Sequence, residues 1–229
     1  MGTSASFRAP AVPRWQAFVT ALQAGLPLER VQSELFNAGQ EWEAELGAPA
    51  VAAYAVAVLD AHQALPVRLR AADRPEQALR QLAAEARVAS EAEAGSAASA
   101  MAERAFLGLL TRVTAGGVSL AEAQPDGAAD RFTAGRGTPA ELVAGYVGEL
   151  LSQYARHVTA REVGRLTEDD PAMTVATTRR LTRALAAGAE EVGRRSGPPP
   201  ADGDAIRAGW RPLIRDAFAR GRRLPEADA

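Results

Sequence analysis

Apolar residues recur at three- and four-residue steps along most of this chain, and most regularly within residues 138–166. There Leu142, Val143, Tyr146, Val147, Leu150, Leu151, Tyr154 and Val158 fall on one stripe of a helix. Thr138 is placed to cap that helix, Pro139 suits its first position, and Glu141 is spaced to reach back and close a capping box. A stripe of this length must be covered, so the segment is expected to be the spine of a helical core.

The same rhythm, punctuated by Gly and Pro, divides the rest. A first helix carries Trp15, Phe18, Val19 and Leu22 and stops at Gly25. A second opens at Pro27, presents Leu28, Val31, Leu35, Ala38 and Trp42, and ends at Gly47. The third opens at Pro49 with Val51, Tyr54, Val58 and His62 inward, and Pro66 is expected to end it. A fourth begins at Pro75 with a thin stripe of Leu79, Leu82, Ala86 and Ala89. A fifth, introduced by Ser99, holds Met101, Ala105, Phe106, Leu109, Leu110 and Val113 and closes at Gly116 and Gly117. Residues 118–137 read as one weak amphipathic stretch followed by loop. After the spine helix, a helix over about 174–195 turns Val175, Thr178, Leu181, Leu185 and Val192 inward.

The resulting expectation is an all-α protein, a bundle of about seven or eight helices. Residues 1–12 form a disordered leader, 13–95 an N-terminal helical unit, 96–195 a C-terminal unit, and 196–204 a Pro/Gly linker. Residues 205–229 then form an arm helix and a charged tail. Val51, Tyr54, Val58 and Leu59 fall on Val143, Tyr146, Leu150 and Leu151 at a common offset, which leaves two readings open: tandem four-helix repeats, or successive amphipathic helices that look alike because Gly and Pro punctuate both. In the arm, Ile206, Trp210, Leu213, Ile214, Ala217 and Phe218 make an apolar face, with a kink or restart at Pro212. A lone helix of that length is marginal in water, so the face must dock, on its own core or on a partner.

Composition narrows the chemistry. Alanine is roughly a quarter of the residues and aromatics are 5%, a mixture that favours helix throughout. The basic residues are all Arg, and the net charge of −2 gives no global pull toward nucleic acid or an anionic membrane. With no Cys, disulfides, thiolate catalysis and Cys-ligated zinc are excluded. The N-terminus lacks the apolar core of a signal peptide, and the longest apolar run, 51–59, is half a membrane span. The expectation is a soluble, cytoplasmic protein.

Catalytic groups are sparse. His62 and His157 read as structural histidines, one inside the third helix and one near the carbonyl end of the spine. Neither Glu-x-x-His nor His-x-x-x-His occurs, and no Gly-rich phosphate loop follows a strand. No catalytic residue, cofactor or metal site is therefore expected. The expected function is that of a non-enzymatic scaffold, adaptor or regulator working by protein–protein contact, self-association included. Trp210, Leu213, Ile214 and Phe218 are the candidate partner-binding residues.

A competing reading comes from residues 159–187. VTAREVGRL followed by VATTRRLTRAL resembles a helix-turn-helix, whose second helix would set Arg179, Arg180 and Arg183 against DNA. The intervening TEDDPAMT is longer than that motif's turn and is acidic where DNA would lie. Separately, AGLPLERV at 24–31 and AHQAL at 61–65 resemble pieces of the helical N-terminal domain of stress-response phosphatase regulators. That likeness spans under a fifth of the chain and implies a helical partner-docking module.

Overall fold

The computed structural model describes residues 13–90, 96–169, 175–196 and 202–223. The fold is all-α: no strand occurs among the described residues. The helices are α1 (Pro13–Gln23), α2 (Leu28–Ala38), α3 (Gln40–Leu46), α4 (Pro49–Ala71), α5 (Pro75–Ala89), α6 (Ala97–Ala115), α7 (Pro125–Gly135), α8 (Pro139–Asp169), α9 (Val175–Arg194) and α10 (Gly203–Arg222), with a 3-10 turn at Leu120–Glu122. The leader at 1–12, residues 197–201 of the linker and the tail from 224 lie outside the described residues.

Punctuation works as the pattern predicts at many boundaries. Pro occupies the first turn of α4, α5 and α7. Gly116 and Gly117 end α6 at φ +56° and +91°, where a side chain would be strained. The Thr138 capping box is complete: the Glu141 amide donates to Thr138 Oγ1 at 3.2 Å, and Glu141 Oε2 accepts from the Thr138 amide at 2.7 Å. The bonds that its carboxylate accepts from the Thr138 amide and hydroxyl hold the Glu141 carboxyl below its usual range. The apolar stripe of α8 from Leu142 to Val158 is buried throughout.

Three boundaries differ from expectation. The second predicted helix is two, α2 and α3, divided at Gly39. A Cβ on Gly39 would stand 1.9 Å from the Tyr154 hydroxyl, which donates to the Leu35 carbonyl at 2.8 Å. The break therefore makes room for the tip of a buried tyrosine on α8. Trp42, expected inward, is half-buried, with its ring 5.2 Å from His157 and 6.3 Å from Tyr154. The expected loop before the spine holds α7, which buries Ala128, Ala129 and Phe132. Its stripe contains one large apolar residue among Gly and Asp, too faint a rhythm to separate from a loop.

The third difference is chemical. Pro66 does not end its helix; α4 runs 23 residues, to Ala71, with Pro66 buried inside it. Proline lacks the amide that would bond the carbonyl four residues back, so the His62 carbonyl loses its partner. Arg136 at the end of α7 supplies one: its Nη1 donates to the His62 carbonyl. The His62 ring in turn donates from Nε2 to the Gly137 carbonyl at 3.0 Å. Arg136→Ala should then cost about 1–3 kcal/mol in urea unfolding, the penalty of an unmet carbonyl. A cost within experimental error of zero would mean that water reaches the His62 carbonyl. Pro212, inside α10, has its unmatched carbonyl at exposed Ala208, where solvent suffices.

Helices α8 and α9 touch more extensively than any other pair. Gly148 faces Gly193, and the two lie at similar chain distances from residues 170–174, so the helices run antiparallel. A Cβ on Gly193 would lie 2.7 Å from the Gly148 Cα, so backbone meets backbone there. Around this hairpin, α6 and α4 pack on α8, α7 packs on α4 and α6, and α2 touches α9. Helix α4 has the length and apolarity of a membrane span. Its neighbours α5, α6, α7, α8 and α10 cover it, and Val51, Tyr54, Val58, Ala61, Leu65 and Leu69 are all buried.

Candidate functional site

The arm residues come first. Helix α10 starts at Gly203, two residues before expectation, where Asp202 Oδ1 caps it by accepting from the Ala205 amide at 2.8 Å. Its apolar face lies against α2, α3 and α4 of its own chain. Trp210, Ile214 and Phe218 are fully buried, and Leu213 is half-buried. The Trp210 indole donates from Nε1 to the Leu46 carbonyl at 2.8 Å, and its ring lies 5.9 Å from Tyr146. Phe218 meets Phe36 edge-on at 5.3 Å and Tyr154 at the same distance.

The end of α10 is fastened as well. Arg222 pairs with Glu43 on α3, and the Ser33 hydroxyl donates to the Arg222 carbonyl at 2.7 Å. Gly221 lies so close to Phe36 that a Cβ would sit 2.4 Å from its ring. In this conformation Trp210, Ile214 and Phe218 serve the core of their own chain and are not open to a partner. Burial pushes the Tyr154 hydroxyl far above its usual titration range, so it stays a proton donor to Leu35.

A helix-turn-helix would need a short helix and a tight turn before the arginines. Residues 159–166 form no separate short helix, because α8 continues unbroken to Asp169 and lies antiparallel on α9. The arginines themselves are exposed, as that reading required: Arg179, Arg180 and Arg183 share the solvent side of α9. Arg183 Nε donates to the Arg179 carbonyl, and none of the three pairs with a carboxylate among the described residues.

The other half of α9 is different. Arg194 and Arg195 both pair with Glu191, at 2.8 and 2.5 Å. Glu190, spaced in sequence to meet Arg194, instead accepts from Arg112 on α6 at 3.0 Å. The same Arg112 Nη1 lies 3.3 Å from Glu149, which is 7% exposed and also bonded by Gln153 at 3.0 Å. One guanidinium thus holds α6, α8 and α9 together, a junction hidden in sequence because its parts lie on three helices.

Both histidines have structural places. His62 clips α4 to the turn before α8, and His157 packs edge-on to Trp42. On α3, Glu43 pairs with Arg222, while Glu41 and Glu45 are exposed. Sequence reasoning also missed a groove of about 430 Å³ lined by Arg74, Glu76, Leu79, Arg80, Leu107, Thr111, Leu120 and Ala121. Its residues come from α5 and the residue before it, α6 and the 3-10 turn, so no local motif marks it. No family model, curated protein or solved structure matches this chain.

Proposed function

We propose that this chain is a non-enzymatic scaffold, adaptor or regulator: a cytoplasmic helical bundle of two tandem units closed by α10. It works by protein contact, and its contact face is the solvent side of α9 around Arg179, Arg180 and Arg183. One observation carries this reading. Three exposed guanidiniums stand on one side of the helix without carboxylate partners among the described residues, whereas its other half is neutralised by Glu190 and Glu191. Unpaired surface charge of one sign steers and selects a partner of the other sign, here an acidic protein surface. Duplex DNA is the weaker match, because Glu168, Asp169 and Asp170 lie nine to eleven positions before Arg179 in sequence and the net charge is −2.

The test compares the native chain with the triple variant R179Q/R180Q/R183Q. These side chains are exposed, so both forms should melt alike. The native chain should retain an acidic protein at low salt and release it at high salt, and the variant should not retain it. Identical capture by both forms would remove α9 from the contact face. Salt-dependent duplex binding that disappears in the variant would put a DNA-binding regulator in place of the adaptor. Light scattering of the two forms shows whether the acidic partner is a second copy of the chain.

A further inference from the structure

The groove between α5, α6 and the 3-10 turn is chemically two-sided. Its floor is Leu79, buried to 2% exposure, and Leu107 on α6 and Leu120 in the 3-10 turn stand half-buried as walls. Arg74 and Arg80 are exposed at the mouth, beside Thr111 and Glu76. Neighbouring arginines on α4 and α5 have carboxylate partners: Arg68 pairs with Glu85, Arg70 with Asp130, and Arg87 with Glu103. Arg74 and Arg80 have none among the described residues; Arg80 Nε donates to the Glu76 carbonyl at 3.3 Å, which leaves its two terminal nitrogens uncommitted. Two guanidiniums and the single carboxylate of Glu76 line the mouth, and Asp73 and Glu122 flank the lining in sequence.

We infer that this groove binds a small amphipathic monocarboxylate of the fatty-acid kind, with its tail along Leu79, Leu107 and Leu120 and its head on Arg74 and Arg80. The volume, about 430 Å³, falls within the range of small-molecule sites. Guanidinium is the group best shaped to grip a carboxylate through paired N–H donors. No aromatic ring lines the groove to stack a nucleobase, and the single carboxylate is too few to hold a divalent cation. Carboxylate head and aliphatic tail are the chemistry that these eight residues complement.

Calorimetric titration of the full chain tests this with three probes: decanoate, decanol with the same tail and no charge, and butyrate with the charge and almost no tail. Decanoate, below its micelle concentration, should saturate at one per chain, with decanol and butyrate at least about tenfold weaker. The double variant R74Q/R80Q should bind decanoate about as weakly as decanol, leave decanol unchanged, and keep the native melting temperature. Leu120→Gln should weaken decanoate and decanol together. Absence of saturable decanoate binding overturns the inference, as does a double variant that binds decanoate like the native chain. Equal affinity for decanoate and decanol would also overturn it, since the arginines would then contribute nothing.

Discussion

Trp210→Ala should lower the free energy of unfolding by about 3–5 kcal/mol, measured in urea at constant m-value. The indole is 1% exposed, lies 5.9 Å from Tyr146, and donates to the Leu46 carbonyl at 2.8 Å. Truncation removes its apolar burial and leaves the end of α3 without that donor. Trp210→Phe should cost less, since it keeps most of the ring and loses only the N–H. Few single changes in a domain reach the upper end of this range, and those that do leave a cavity or an unmet polar group. A loss under about 1 kcal/mol would show that α10 is a passive cover.

Gly193→Ala is the second large effect, and its sign is diagnostic. In an ordinary helix interior alanine is favoured over glycine by about 1 kcal/mol. Here the new Cβ would sit 2.7 Å from Gly148 Cα and 2.8 Å from Gly148 N and the Val147 carbonyl carbon. No side chain can swing aside, so α8 and α9 must separate along the face that joins them. Overpacking of this kind costs about 1–3 kcal/mol, so the variant should be destabilised despite its better propensity. Gly193→Val should cost more, and melting curves of the two variants with the native chain give the order. Any stabilisation by alanine would mean that the two helices are not in backbone contact at this point.

These two sites show what was legible in the sequence and what was not. The rhythm of α8 and the apolar face of α10 were readable, because a helix that buries one side must write that side at 3.6-residue intervals. Gly and Pro are harder, since each residue has two uses that look alike in one dimension. Gly25 and Gly116 end helices at positive φ and were read correctly, whereas Gly148 and Gly193 lie inside helices to let backbones approach. Pro49 and Pro75 start helices, whereas buried Pro66 interrupts one without ending it. Only the partner decides between these uses, and Gly148 and Arg136 are partners that lie far along the chain. The candidate sites follow the same rule. Arg179, Arg180 and Arg183 were visible as a run on one helix, but the groove between α5 and α6 gathers residues more than forty positions apart. The face around Trp210 was recognised; that it closes on its own core was one of the two outcomes the linker allowed.

The proline inside α4 also orders events in time. The carbonyl that Pro66 leaves unmet belongs to His62, and the arginine that satisfies it stands 74 positions later. As the chain leaves the ribosome, α4 emerges well before α7 exists, and water must serve that carbonyl meanwhile. Until then the helix has no protein partner for that carbonyl, and isolated helices of such length are marginal in water. Only once Arg136 and the Gly137 carbonyl exist can the His62 carbonyl and ring take the partners they have in the folded chain. A helix that five others cover thus depends, at its middle, on a side chain made long after it.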